Sequence, residues 1–205
     1  EEWVHRFAKY ERLSPDVVAG NVVAGFPGLS GVEGSRPSTP YTAVKFYFND
    51  CFPDTRENRA FVRRTLQTLT ERGPVVSLAT GLRLDDHAGD EEHDGARVRG
   101  CEGAKVHLLP PDMHPRDNLT LQTALVSGAS AFVGTYGGYS YLAPFCGVPS
   151  VAFYSARTFF QHHLDLAQRV FHTLGAPSLI PLDVRDAALL QSTLQSASLS
   201  SQGTT

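Results

Sequence analysis

The feature that most limits how this chain can fold is a long segment without charge. Residues 118 to 156 contain no Asp, Glu, Lys or Arg. Gly, Pro, Ser, Thr, Asn and Gln interrupt this segment too often for a membrane-spanning helix, which needs about 20 consecutive apolar residues. A parallel sheet that is buried on both faces, together with its covering helices, has this composition. We therefore expect the segment to form the interior of an α/β domain.

The chain alternates between short apolar runs and longer segments of helical period. Strands are predicted at 41–50, 75–80, 105–109, 131–136, 149–154 and 178–183. Helices are predicted at 56–72, from Asp117 or Asn118 onward, and at 139–146, 160–174 and 185–197. Strands separated by helices predict an α/β fold with an open, doubly wound parallel sheet of the Rossmann-like kind and right-handed crossovers.

Three regions of the sequence differ in composition. Residues 1–40 are turn-rich and are predicted to be a linker or the remnant of a preceding domain. Residues 41–197 carry the alternating pattern and are predicted to form the Rossmann-like domain, while 198–205 are predicted to be a flexible tail. Because the only Met is Met113, we expect the chain to be a piece of a longer protein.

Charge and cysteine content exclude several classes of protein. Eighteen basic against 21 acidic residues give a net charge of −3, which offers no electrostatic basis for binding nucleic acid. The three cysteines show no CxxC spacing, which argues against a disulfide framework and a structural zinc site. Free thiols are typical of a reducing compartment. We therefore expect a cytoplasmic protein, with peripheral association at the cytoplasmic membrane as an alternative.

The segments that follow the strands are the candidate ligand loops, because open parallel sheets bind ligands outside the carboxyl ends of their strands. The most informative of them contains Gly137-Gly138, between an apolar strand and a short helix. A helix that begins there exposes unpaired backbone N–H groups and a partial positive charge, and glycine allows an anion to approach closely. This Gly corner predicts a phosphate site. The alternative is that two glycines only permit a tight turn.

Three sharper motifs do not fit the Gly corner. The glycine spacing is wrong for G-x-G-x-x-G, and no Lys-Ser/Thr follows as a P-loop requires. The hydrolase pattern G-x-S-x-G continues only to Ser140, because Leu142 stands where the second glycine should be. A nucleophilic role for Ser140 is thus disfavoured but stays open.

The strand, the Gly corner, the short helix and "LAPFCGVPSVAF" together resemble the donor-binding half of GT-B glycosyltransferases. The positions that carry the resemblance are Gly128-Ala129, Val133-Gly134, Gly137-Gly138, Leu142-Ala143 and Gly147-Val148-Pro149. The match is moderately specific, because sugar-nucleotide epimerases share the same fold and corner. It is close over this stretch and looser across 41–197.

The resemblance implies the C-terminal domain of an enzyme that transfers a sugar from a nucleotide diphosphate to a glycan or other acceptor, as in polysaccharide biosynthesis. It implies that the donor diphosphate is bound by Gly137, Gly138, Tyr139, Ser140 and Arg56. It further implies that the donor sugar or base lies near Asn49, Asp50, Thr80, Leu109, Pro110 and Tyr136. No metal or other cofactor is expected. The N-terminal GT-B domain is missing, so the chain alone is not expected to turn over.

One departure keeps other interpretations open. Retaining members of this family usually carry a Glu on the helix after the Gly corner, and here that helix has no acidic residue. This favours an inverting, divergent or inactive member, and the catalytic residue stays unassigned. The alternatives are a sugar-nucleotide epimerase of the same fold and a non-catalytic α/β ligand-binding or scaffold domain. The acidic insert 85–94 is interpreted as a solvated loop, with metal binding as the alternative.

Overall fold

A computed structural model describes residues 39–78, 106–108, 115–158 and 161–186. The predicted linker up to residue 38, the acidic insert 85–94 and the tail 198–205 lie outside the described residues. So do three of the predicted site residues, which are Thr80, Leu109 and Pro110.

The described part of the chain contains six strands and four full helices. The strands are β1 Thr42–Lys45, β2 Val75–Ser77, β3 Val106–Leu108, β4 Ala131–Thr135, β5 Ser150–Tyr154 and β6 Leu179–Asp183. The helices are α1 Arg56–Arg72, α2 Pro115–Ser127, α3 Gly138–Phe145 and α4 Gln161–Thr173. Residues 184–186 are also helical, and the remainder of the helix predicted at 185–197 lies outside the described residues.

All six strands are parallel and form one sheet in the order β3-β2-β1-β4-β5-β6. From β1 the chain continues to β2 and β3, which lie on one side of β1 in the sheet. It then crosses to β4, which pairs with the other side of β1, and β5 and β6 follow outward. This is the strand order of a Rossmann-like fold, and the place where the order reverses lies between β1 and β4. The predicted fold class is confirmed.

Helices cover both faces of the sheet, as the alternation of buried strand residues shows. One apolar cluster joins α1 to Val44 and Val75 through Phe61 and Val62. A second cluster joins α2 to the strand residues that alternate with those of the first cluster. Its members include Ala43, Val76, Leu125 and Val126. Because successive side chains of a strand point to opposite faces, α1 and α2 lie on opposite sides.

Several element boundaries differ from the prediction, most of them by one residue; β2 ends at Ser77, before the predicted residue 80, and two further differences have a visible cause. The strand predicted at 41–50 ends at Lys45, although Phe46, Tyr47 and Phe48 remain buried. The Tyr47 amide and carbonyl pair with the Thr135 hydroxyl at 3.1 and 2.8 Å, so the segment leaves the backbone ladder here. Helix α2 begins at Pro115 rather than at residue 117 or 118, because proline suits the first turn of a helix.

We expect Ser150→Ala to raise the free energy of unfolding by about 1 kcal/mol, since the buried Ser150 hydroxyl has no hydrogen-bond partner among the residues that the structure describes. The matched control is Ser140→Ala, which removes a hydroxyl of similar burial that makes two hydrogen bonds and should therefore destabilise. Urea denaturation of both variants measures the difference. Equal destabilisation would contradict the expectation and would indicate a buried water at Ser150.

Candidate functional site

The candidate site lies where β1 and β4 run side by side and the strand order reverses. In open α/β sheets a ligand crevice forms outside the carboxyl ends of such a strand pair. The Gly corner follows β4 after a single intervening residue, Tyr136, and α3 begins at Gly138. The structure therefore places the first turn of α3 beside this crevice.

Ser140 fixes the shape of the Gly corner from within. Its hydroxyl donates to the Gly137 carbonyl at 2.7 Å and accepts from the Gly137 amide at 3.2 Å. The Ser140 amide also donates to the Gly137 carbonyl, at 3.0 Å. The side chain has no exposed surface. These contacts make Ser140 a capping residue, and they engage two of the four amides that were predicted to meet a diphosphate.

The three glycines in or near the corner differ in what a side chain at each position would contact. A Cβ at Gly134 would lie 2.2 Å from the Lys45 carbonyl oxygen, and a Cβ at Gly137 would lie 1.7 Å from the Tyr47 hydroxyl. At Gly138 a Cβ would meet no atom of the described residues within 4 Å, and Gly138 is exposed. Packing thus explains the first two glycines, while Gly138 leaves open space at the start of α3.

The backbone amide of Gly138 is a further feature of the start of α3. As the first residue of α3 it has no acceptor within the helix. Among the described residues it donates to no backbone carbonyl outside the helix either. A ligand oxygen at this position can therefore take a hydrogen bond from the backbone without displacing an internal one.

Lys45 places a positive charge beside this first turn, and the sequence interpretation missed it. Its Nζ lies 3.2 Å from Gln122 Oε1 and 4.4 Å from the centroid of the Tyr139 ring. Lys45 is the last residue of β1, and its side chain is half-buried. The sequence does show a single lysine at the end of an otherwise apolar strand. From the sequence alone, such a lysine cannot be distinguished from a lysine that faces solvent.

The loop after β1 is closed by Asn49 and crosses the end of β4. Asn49 Oδ1 accepts from the amides of Cys51 and Phe52 at 3.1 and 2.9 Å. The Cys51 carbonyl accepts from the amides of Ser155 and Ala156, which follow β5, at 2.9 and 3.0 Å. Because β4 lies between β1 and β5, the loop covers the end of β4. The Asn49 side chain thus holds the loop, and the neighbouring Asp50 is exposed.

The side chains of Cys51, a residue of this loop, and of Tyr136 are both buried in the core. Burial raises the pKa of the Cys51 thiol to about 11, so the thiol stays protonated and unreactive at neutral pH. The Tyr136 ring is 5% exposed and packs edge-on to the Tyr141 ring, and their hydroxyls share a hydrogen bond. Burial raises the pKa of both tyrosines. Tyr136, predicted to contact the donor sugar or base, packs in the apolar core on the α1 side of the sheet.

Arg56 is the exposed first residue of α1. Two residues along, the Asn58 side chain donates to the Pro53 carbonyl at 2.7 Å and to Ser155 Oγ at 2.8 Å. These bonds fix the first turn of α1 to the end of β5. The predicted site residues thus fall into two groups. Residues 137 to 140 form the corner after β4, whereas Asn49 and Asp50 lie in the loop that reaches β5 and Arg56 begins the helix that follows this loop.

The described residues contain no group of three or more His, Cys, Asp or Glu side chains that could hold a metal ion. Within the same part of the chain, no helix is long and apolar enough to cross a membrane. No protein-family model matches this sequence, and a comparison with curated proteins finds no significant match.

Proposed function

We propose that this chain is the donor-binding domain of a GT-B-type glycosyltransferase and holds a nucleotide-diphosphate sugar at the crevice between β1 and β4. One observation carries the proposal: within the described part of the chain, Gly138 leaves open space and an unengaged amide at the start of α3, beside the strand pair where the order reverses. The donor diphosphate would accept a hydrogen bond from this amide.

The charge distribution supports an anionic ligand at this position. The partial positive charge at the N-terminus of α3 favours an anion. No acidic residue occurs between residues 118 and 156, so β4, α3 and β5 supply no carboxylate that would repel a phosphate. The nucleoside and the sugar would extend to either side along the strand ends.

The proposed role is binding rather than complete catalysis. Helix α3, with the sequence GYSYLAPF, lacks the glutamate that usually holds the donor ribose in retaining relatives of the proposed class. The catalytic base and the acceptor site would come from a second domain. We therefore propose that this chain binds the donor without turning it over and requires no metal.

A second candidate function is a scaffold domain in which the Gly corner only makes a turn. The observation that favours it is the closed pattern of bonds between Gly137 and Ser140, since such bonds complete a turn without any ligand. Binding of a nucleotide discriminates between the two candidates.

Calorimetric titration of the 205-residue chain with UDP, GDP, ADP and CMP tests the proposal. We expect saturable binding of one nucleoside diphosphate with a Kd below about 1 mM, and the nucleotide that binds identifies the donor base. Absence of binding to all four nucleotides would contradict the proposal and favour the scaffold.

A further inference from the structure

Two arginines meet one buried carboxylate where β5 and β6 end. Asp183 is the last residue of β6 and is 3% exposed. Its Oδ1 accepts from the Arg185 amide at 2.9 Å and from Arg185 Nε at 3.0 Å, and its Oδ2 accepts from Arg185 Nη2 at 2.7 Å. These three hydrogen bonds hold the guanidinium in one orientation, whereas an exposed arginine ordinarily samples many rotamers.

Arg157 approaches the same carboxylate from the end of β5. Tyr154 is the register partner of Asp183, and the guanidinium carbon of Arg157 lies 6.0 Å from the centroid of the Tyr154 ring. The pKa of Asp183 lies below its usual value, chiefly because of the side-chain hydrogen bond from Arg185 and in smaller part because of the charge of Arg157. Both guanidinium groups are thus close enough to Asp183 for their charges to act on its carboxylate.

The two arginines carry more positive charge than Asp183 neutralises, and Arg185 keeps donors for a further partner. Arg185 uses Nε and Nη2 toward Asp183, so the N–H groups of its Nη1 face away from the carboxylate, and its side chain is 79% exposed. Arg157 is exposed as well. Asp186 also acts on Arg185 electrostatically, but it is exposed and water screens its charge. This arrangement favours an anion in front of the two arginines.

We infer that Arg157 and Arg185 bind an oxyanion, a carboxylate or phosphate group of a ligand, at the carboxyl ends of β5 and β6. The outward N–H groups of both arginines donate to its oxygens, and Asp183 is the positioning residue that orients Arg185. Guanidinium groups suit both oxyanions because their planar donors match two oxygens at once. Since β6 lies two strands from β4, about 10 Å along the sheet edge, this anion position is separate from Gly138 and does not depend on the proposed function.

Titration with inorganic phosphate and with malonate, followed by NMR of the arginine Nε–Hε signals, tests the inference and distinguishes the two oxyanions. Chloride at the same ionic strength is the reference. We expect saturable shifts of the Arg157 and Arg185 signals with a Kd below about 10 mM for at least one of the two anions.

Single substitutions of the two arginines should weaken this binding. Arg157→Gln and Arg185→Gln are each expected to raise the Kd about three- to tenfold, because each removes charge-assisted hydrogen bonds at an exposed position. The matched control is Arg63→Gln, which removes one positive charge from an exposed position of α1. It should bind the anion within about twofold of the unchanged protein, since screened surface charges act weakly at a distance.

Two of the variants keep the test decisive. Arg157→Gln leaves all three hydrogen bonds of Asp183 in place, so it should fold, as judged by circular dichroism, even if Arg185→Gln does not. Arg185→Lys keeps the charge but cannot reproduce the paired contact of Nε and Nη2 with the carboxylate. We expect this variant to bind the anion about as weakly as Arg185→Gln, because Asp183 then no longer orients the cation.

Each outcome supports or overturns the inference. Saturable binding that both glutamine variants of the pair weaken, and that Arg63→Gln leaves unchanged, supports it, and the anion that binds more tightly identifies the group that the ligand carries. Shifts that rise linearly with both anions, or that chloride reproduces, overturn it. Undiminished binding in Arg185→Lys would show attraction by charge alone and would overturn the oriented pair.

Discussion

Gly134→Ala is expected to lower the free energy of unfolding by roughly 3 kcal/mol. The new Cβ would lie 2.2 Å from the Lys45 carbonyl oxygen, which belongs to the backbone of the neighbouring strand. Gly134 and Lys45 are paired in the register of β4 and β1. A backbone carbonyl in a parallel ladder cannot rotate away, so the two central strands must move apart. Urea denaturation measures the loss.

The other two glycines of the site serve as graded controls for this prediction. At Gly137 the obstacle is the Tyr47 hydroxyl, the end of a buried side chain, and alanine there should cost about 1–2 kcal/mol. Tyr47→Phe in the Gly137→Ala background removes the closest atom and should recover part of this loss. Gly138→Ala fills open space and should cost nothing. Equal losses at all three positions would contradict the packing argument.

The fold could be predicted where local chemistry sets the ends of an element. Helix α1 was predicted at 56–72 and has these bounds, because Thr55 accepts from the Asn58 amide at its start and Gly73 follows its end. The end of β1 could not be predicted, because the alternation of aromatic residues continues through Phe48. Alternation reports burial of side chains, whereas the strand ends where the backbone of Tyr47 turns to Thr135.

The candidate site could be located from the sequence, but the roles of its residues could not. The Gly corner was predicted at the end of a strand, where the structure has it. Only the three-dimensional contacts show that Gly137 is required by Tyr47 while Gly138 faces open space. Asn49 has the composition of a ligand residue, yet its side chain closes its own loop. Lys45 was missed because Gln122, 77 positions away in sequence, is what orients it.

Gly138→Asp is expected to weaken binding of the nucleoside diphosphate by about 100-fold or more while the protein stays fully folded. A carboxylate in the first turn of α3 interacts favourably with the helix dipole, and the side chain enters open space. The free energy of unfolding should therefore stay the same or rise. Binding should be lost because the new negative charge lies where a phosphate would accept a hydrogen bond from the amide of residue 138. Calorimetry and urea denaturation of the same preparation measure both effects.

The matched control is Gly138→Asn, which has nearly the same shape as aspartate but no charge. If the site binds an anion at the start of α3, asparagine should weaken binding far less than aspartate, and the difference between them reports charge repulsion. Equal weakening by both would indicate that the position is limited by space alone. Unchanged binding in Gly138→Asp would place the nucleotide away from the corner, on the β5 side where Arg56 begins α1. That result would contradict the assignment of Gly138 while leaving the Rossmann-like fold unaffected.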